Sequence, residues 1–225
     1  MPDIRGQLLP IYLLVDESMS MGSNIAELEA GLNALHAALL AEPMAAAKVR
    51  LSVIGFSDDA VLRLDLADIR TLTDLPRLAK RGRTSYAAAF AELERRIPDD
   101  VKKLKRGGYQ VHRPAVYFLS DGEPTDGRAW EPIHARLVDR ARTPAAPNII
   151  ACGIGDADAE TILSVATEPR YAFIAASSTD VGASVAKFCV ELTKSVVKSG
   201  RTLATDSPEL VMNPPEGFRL VIDVV

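Results

Sequence analysis

The sequence predicts an α/β fold, a mostly parallel sheet with helices on both faces and one antiparallel edge. Three observations predict it. The unbroken apolar run at 11–15 and the run at 114–119 read as strands buried on both faces, and the largely apolar stretches at 49–56 and 147–154 read as further strands. The stretches between several of them repeat their apolar residues at steps of three and four, the period of a helix packed on one side. Residues 60–66 alternate apolar and polar, as a half-exposed edge strand does. With 225 residues and 48% hydrophobic content, the chain can bury a sizeable core in one large domain and is too apolar to be disordered.

In chain order, the first strand changes character abruptly into Asp16-Glu17-Ser18-Met19-Ser20. In extended backbone, Asp16, Ser18 and Ser20 point one way and Glu17 and Met19 the other. A buried strand that ends in a row of oxygens suits a hard divalent cation. Ser and Asp after a strand also serve as turn formers and helix N-caps, and this stretch alone does not separate the two uses. A turn at 21–24 leads into a helix on Ile25, Leu28, Leu32, Leu35 and Leu39, with Asn24 as N-cap and Pro43 marking its end. The short link at 57–59 makes the next two strands an antiparallel hairpin. After a polar loop at 71–85, a helix is expected over 86–97, placing Thr84 or Ser85 at its N-terminus. Residues 99–110 read as a charged surface excursion. The strand at 114–119 runs straight into Ser120-Asp121-Gly122-Glu123-Pro124-Thr125-Asp126-Gly127, a second oxygen-rich strand end. Glu123 and Asp126 read first as turn and cap residues of the following helix, and second as negative charge near an ion. There follow a helix on Trp130, Ile133, Leu137, Val138 and Ala141, a strand at 147–154, a short helix at 161–166, a brief strand at 171–174 and a long helix at 180–198 entered through 177–180. The Pro-rich stretch from 200 ends in the strand-like 218–225, expected to cover an edge of its own sheet, with addition to a partner's sheet edge as the alternative. The resulting division is a domain over 1–199 and a tail over 200–225.

Composition removes several functions. The formal charge of −4 and the isolated basic cluster at 102–106 lack the footprint of a nucleic-acid binder. No apolar run reaches membrane-spanning length. The first residues carry neither the charged start nor the apolar core of a signal peptide, so a cytoplasmic protein is expected. Cys152 and Cys189 sit in apolar settings without metal-ligand spacing and read as core thiols.

The ordered set Asp16-x-Ser18-x-Ser20, Thr84 and Asp121 resembles the metal-ion-dependent adhesion site of von Willebrand factor A domains, over about residues 8–199. The resemblance implies a doubly wound six-stranded sheet of order 3-2-1-4-5-6, with Asp16, Ser18, Ser20, Thr84 and Asp121 as metal ligands. It implies Mg²⁺, or Mn²⁺ in its place, and a role in binding other proteins. Within the family, the stretches LLVDESMSM and LSDGEPTD look most like bacterial proteins linked to tellurium resistance and stress response. Arg83 departs from the small residue usual before the Thr. Two carboxylates just neutralise a divalent ion beside three neutral hydroxyls; with water between either carboxylate and the metal, as often in the family, the ion stays electrophilic and ready for an anionic oxygen, a Glu or Asp of a partner protein. Met19 and Met21, if exposed, would give that partner an adaptable apolar rim.

The alternatives are a Mg-dependent hydrolase or phosphatase, or a scaffold subunit of a chelatase or kinase–phosphatase complex. No Gly-x-Ser-x-Gly elbow or P-loop occurs, Ser18 stands where a haloacid-dehalogenase-like phosphatase has its second Asp, and His36, His112 and His134 are scattered. Gly153-x-Gly155 lacks the third glycine of a dinucleotide fingerprint. A non-enzymatic binding module is expected.

Overall fold

The computed structural model describes residues 5–175, 180–202 and 213–221. Its strands are β1 (Gly6–Asp16), β2 (Val49–Phe56), β3 (Ala60–Asp68), β4 (Tyr109–Val111), β5 (Ala115–Ser120), β6 (Asn148–Gly153), β7 (Ala172–Ala175) and β8 (Phe218–Leu220). Its helices are α1 (Ile25–Leu40), α2 (Pro43–Lys48), α3 (Tyr86–Arg106), α4 (Glu131–Val138), α5 (Ala159–Val165) and α6 (Val181–Thr202). The sheet order is β3-β2-β1-β5-β6-β7-β8, with β4 paired to the start of β1. All pairings are parallel except β2–β3 and β7–β8 at the two edges.

The unbroken apolar run of β1 follows from its central place. Leu9, Ile11, Leu13 and Val15 enter one core layer with Leu28, Leu32 and Leu35 of α1 and Val185, Phe188 and Leu192 of α6. Tyr12 and Leu14 enter the other, with Phe90, Leu93 and Ile97 of α3 and Ile162 and Val165 of α5. From β1 the chain winds out to β2 on one side and returns to β5 on the other, so the strand order reverses at β1–β5. Ligand sites of open α/β sheets lie above the carboxyl ends of the strands at such a point.

The structure departs from the sequence expectations in several places. The sheet has eight strands and two antiparallel edges, not six and one. Of the two extra strands, β4 is a three-residue segment too short to show a period, and β8 falls in the strand-like segment expected from 218 to cover an edge of the sheet. The helix expected to stop near 97 continues through Pro98 to Arg106. Burial of Val101 extends the apolar stripe of Phe90, Leu93 and Ile97, and the Tyr12 hydroxyl donates to Asp100 at 2.9 Å. This packing outweighs the backbone bond that a proline removes. Pro43 closes α1 and at once opens α2 as its first residue. Ala141 falls outside α4. Asn24 occupies the N-cap position of α1, but its side chain makes no capping bond and donates to the Ser23 hydroxyl at 3.3 Å. Residues 177–179 of the expected α6 entry lie outside the described residues; Asp180 itself accepts from the Ala183 N–H at 2.9 Å. Of the tail, 203–212 and 222–225 also lie outside them, and β8 adds to β7 of its own sheet. Cys152 and Cys189 are buried free thiols. Among the described residues no helix is long and apolar enough to cross a membrane.

Candidate metal centre

The loop leaving β1 curls back on itself because Asp16 caps it. The Ser18 N–H donates to Asp16 Oδ1 at 2.8 Å, and the Ser120 hydroxyl donates to Asp16 Oδ2 at 2.6 Å. Asp16 thereby joins the ends of β1 and β5. The Ser18 and Ser20 hydroxyls lie 2.9 Å apart, and the Ser20 hydroxyl donates to Asp121 Oδ1 at 2.8 Å. Four of the five expected ligands are thus linked side chain to side chain or through the Ser18 N–H, across 101 positions of sequence. Thr84 is held between these two loops by its backbone neighbours. The Met19 N–H donates to the Gly82 carbonyl at 3.0 Å, and the Thr125 N–H donates to the Thr84 carbonyl at 2.8 Å. Arg83 is exposed, and its N–H donates to Asp58 at 3.1 Å.

The site concentrates anionic charge in poorly hydrated surroundings. Asp16, Ser18, Thr84 and Asp121 are all buried. Burial lifts the Asp16 carboxyl to about 6 against the hydrogen bonds from Ser120 and Ser18, and lifts that of Asp121 as well. Two buried carboxylates bonded to the hydroxyls of Ser20 and Ser120, with no cation among the described residues paired to either, form a set whose unfavourable charge a hard cation would relieve. The donors are all oxygen, as Mg²⁺ and Mn²⁺ prefer. The residues fit the implied ion. Among the described residues, no cluster of three or more His, Cys, Asp or Glu has metal-binding geometry, so hydroxyls make up the rest of the donor set.

The family model of the von Willebrand factor type A domain matches residues 11–187, most of the chain. The chain belongs to that family. This type A domain is similar in structure to proximal thread matrix protein 1 from the mussel byssus, with a TM-score of 0.55 and 16% identity over 88% of this chain and 47% of that one. A further structure of that mussel protein, described as having a zinc-occupied MIDAS motif, gives 0.50 and 17% over 88% and 47%. The manganese-loaded TRAP protein of Plasmodium vivax gives 0.54 and 20% over 83% and 73%. At these identities the likeness establishes the fold. This type A domain spans about half the length of the mussel structures it matches. No curated protein matches it.

Several residues that support the site were not singled out from the sequence of this type A domain. Ser120 was passed over beside Asp121, although its hydroxyl is what orients Asp16. Glu17 points away from the ligands, as the alternation predicts, into a knot of its own. Its carboxylate accepts from Arg63 at 2.9 and 2.8 Å, from Arg81 at 2.9 Å and from the Ala79 N–H at 3.1 Å. Arg81 also donates to the Gly55 carbonyl at 3.1 Å and pairs with Asp59. This knot ties the Thr84 loop to the β2–β3 hairpin. A Cβ at Gly82 would lie 1.6 Å from Asp58 Oδ2, so a side chain there would displace the Asp58 carboxylate from the Arg83 N–H. Asp126 caps the helix before it in sequence, not the one after: it accepts from the Ser85 hydroxyl at 2.7 Å and the Ala87 N–H at 2.8 Å, at the start of α3. Glu123 is exposed. Gly155, with a left-handed φ of 58°, turns the chain over the Asp121 carbonyl, which a Cβ would approach to 3.2 Å. Met19 is exposed at 61% and Met21 is fully buried, so only Met19 stands at the rim. The three histidines lie elsewhere, bonded to Ile69, Gln7 and Val165.

Proposed function

We propose that this chain is a divalent-metal-dependent protein-binding module. Asp16, Ser18, Ser20, Thr84 and Asp121 hold Mg²⁺, or Mn²⁺ in its place. The bound cation supplies a Lewis-acidic corner for an outside carboxylate, a Glu or Asp of a partner protein. The observation that carries this reading is the Ser20–Asp121 hydrogen bond of 2.8 Å, which brings the two oxygen-rich strand ends to one point at the topological switch. Both oxygens of Asp16 are engaged by Ser18 and Ser120, so its charge acts on the ion from a fixed position. Met19 gives the partner an apolar contact beside the site. Metal-loaded forms of the similar mussel and TRAP proteins support the reading. No histidine reaches the site as a base, and the role is binding, not catalysis. The stretches at 13–21 and 119–126 favour a cytoplasmic bacterial stress or tellurium-resistance system as its setting, with 1–199 as the binding module and 200–225 as its tail.

Calorimetric titration with Mg²⁺ and with Mn²⁺ tests the ion directly. Wild type binds, Asp16→Ala does not, and a hundredfold excess of metal over Kd stabilises wild type alone by about 2.7 kcal/mol. Equal melting of both proteins with and without metal would overturn the proposal. Partners recovered from cells on wild-type protein are released by EDTA and absent from Ser18→Ala.

A further inference from the structure

A second feature lies at the other end of α3. This helix starts beside Thr84 and runs 21 residues, roughly 30 Å at 1.5 Å per residue, to the amino ends of the strands. There its last turns and the loop before β6 enclose an open cleft of about 460 Å³. Its floor is apolar, formed by Pro98, Val101, Pro144 and Ala145. Its rim is basic: Lys102, Lys105 and Arg106 share the face of α3 that carries Pro98 and Val101.

The charge on that rim is uncompensated. Several arginines elsewhere are tied up, as in Arg63 and Arg81 with Glu17, Arg96 with Glu92, and Arg136 with Glu94. Lys102, Lys105 and Arg106 form no ion pair among the described residues, and all three are exposed. Exposed Arg140 and Arg142 of the neighbouring loop add to the same positive field. The negative end of a helix accommodates cations in its last turn, which explains their tolerance there. It does not explain why they ring an apolar cleft in a chain of net charge −4.

We infer that this cleft docks a peptide segment in which acidic residues flank a bulky apolar side chain. The apolar group enters between Pro98, Val101 and Pro144, and the acids meet Lys102, Lys105 and Arg106. A nucleic acid would use the cations and leave the apolar floor idle, and the net acidity of the chain opposes it. The docking is independent of the metal centre at the opposite end, so the chain can hold two partners at once.

The test is to pan a random dodecapeptide display library against the intact chain in EDTA, and to measure the enriched peptides by fluorescence anisotropy. The proposal expects acidic peptides with a central apolar residue. Their binding weakens with salt and drops about tenfold or more in Lys102→Glu/Lys105→Glu/Arg106→Glu, and Arg170→Glu leaves it unchanged. Thermal melting of the triple variant confirms that it is folded. Absence of enrichment, enriched peptides without acids, or indifference to the triple reversal would overturn it. Binding of duplex DNA as tight as that of the peptides, lost in the same variant, would overturn it in favour of a nucleic-acid surface.

Discussion

Glu17 is a charge with no exposure to solvent, lodged one residue from the proposed metal ligand Asp16. Its two guanidinium partners keep about a fifth of their side-chain surface in water. Truncating one member of a buried ion pair costs about 3–5 kcal/mol, because the partner charge is stranded. Partial exposure of Arg63 and Arg81 reduces this to about 2–4 kcal/mol for Glu17→Ala, to be read from urea unfolding. A loss below about 0.5 kcal/mol would show that water already solvates the knot. Gly55 belongs to the same unit: a Cβ there would stand 2.3 Å from the Glu17 carboxyl carbon. The alternation of Asp16, Ser18 and Ser20 with Glu17 and Met19 was legible from the sequence because extended backbone dictates it. The destination of Glu17 was not, since Arg63 and Arg81 come from segments 46 and 64 residues away.

Among the elements, α3 links the two ends of the molecule, and it does so across a proline. Pro98 is exposed and interior, so the Glu94 carbonyl loses its N–H partner. An interior proline costs about 3 kcal/mol, of which about 1 is returned by the stiffer unfolded chain. Pro98→Ala is therefore expected to raise stability by about 2 kcal/mol, seen as a higher Tm; no change would mean that the helix already relaxes around the ring. The same balance explains Gly31 in α1. Its replacement by Ala would gain about 1 kcal/mol of helix propensity. The new Cβ would meet Cys189 Sγ at 2.1 Å, and the close approach of α1 to α6 depends on its absence. The helical period of α1, α3 and α6 was readable from their apolar stripes. The length of α3 was not, because only the burial of Val101 overrides the local signal of Pro98.

At the scale of the whole molecule, the sheet places the site. Two strands distant in sequence become neighbours, and their carboxyl ends carry Asp16 and Asp121. The edges are closed by antiparallel strands, β3 on one side and β8 on the other. Phe218 of β8 joins the core layer of α1 and α6 at 9% exposure. A core Phe→Ala change costs about 3–5 kcal/mol, and this peripheral position lowers the expectation to about 2–3 kcal/mol for Phe218→Ala. An unchanged denaturation midpoint would mean that the β7 edge stands without its cover.

The sequence by itself determined the alternation of strands and helices, the burial of β1 on both faces and the residue types suited to a hard cation, since periodicity and side-chain chemistry are local properties. Only the tertiary structure decided that Ser20 and Asp121 meet, that Ser120 orients Asp16, that Glu17 binds two arginines, and that a basic rim surrounds an apolar cleft. These depend on which strands lie side by side, and that adjacency follows from burying both faces of one sheet at once, a condition no single stretch of the chain expresses.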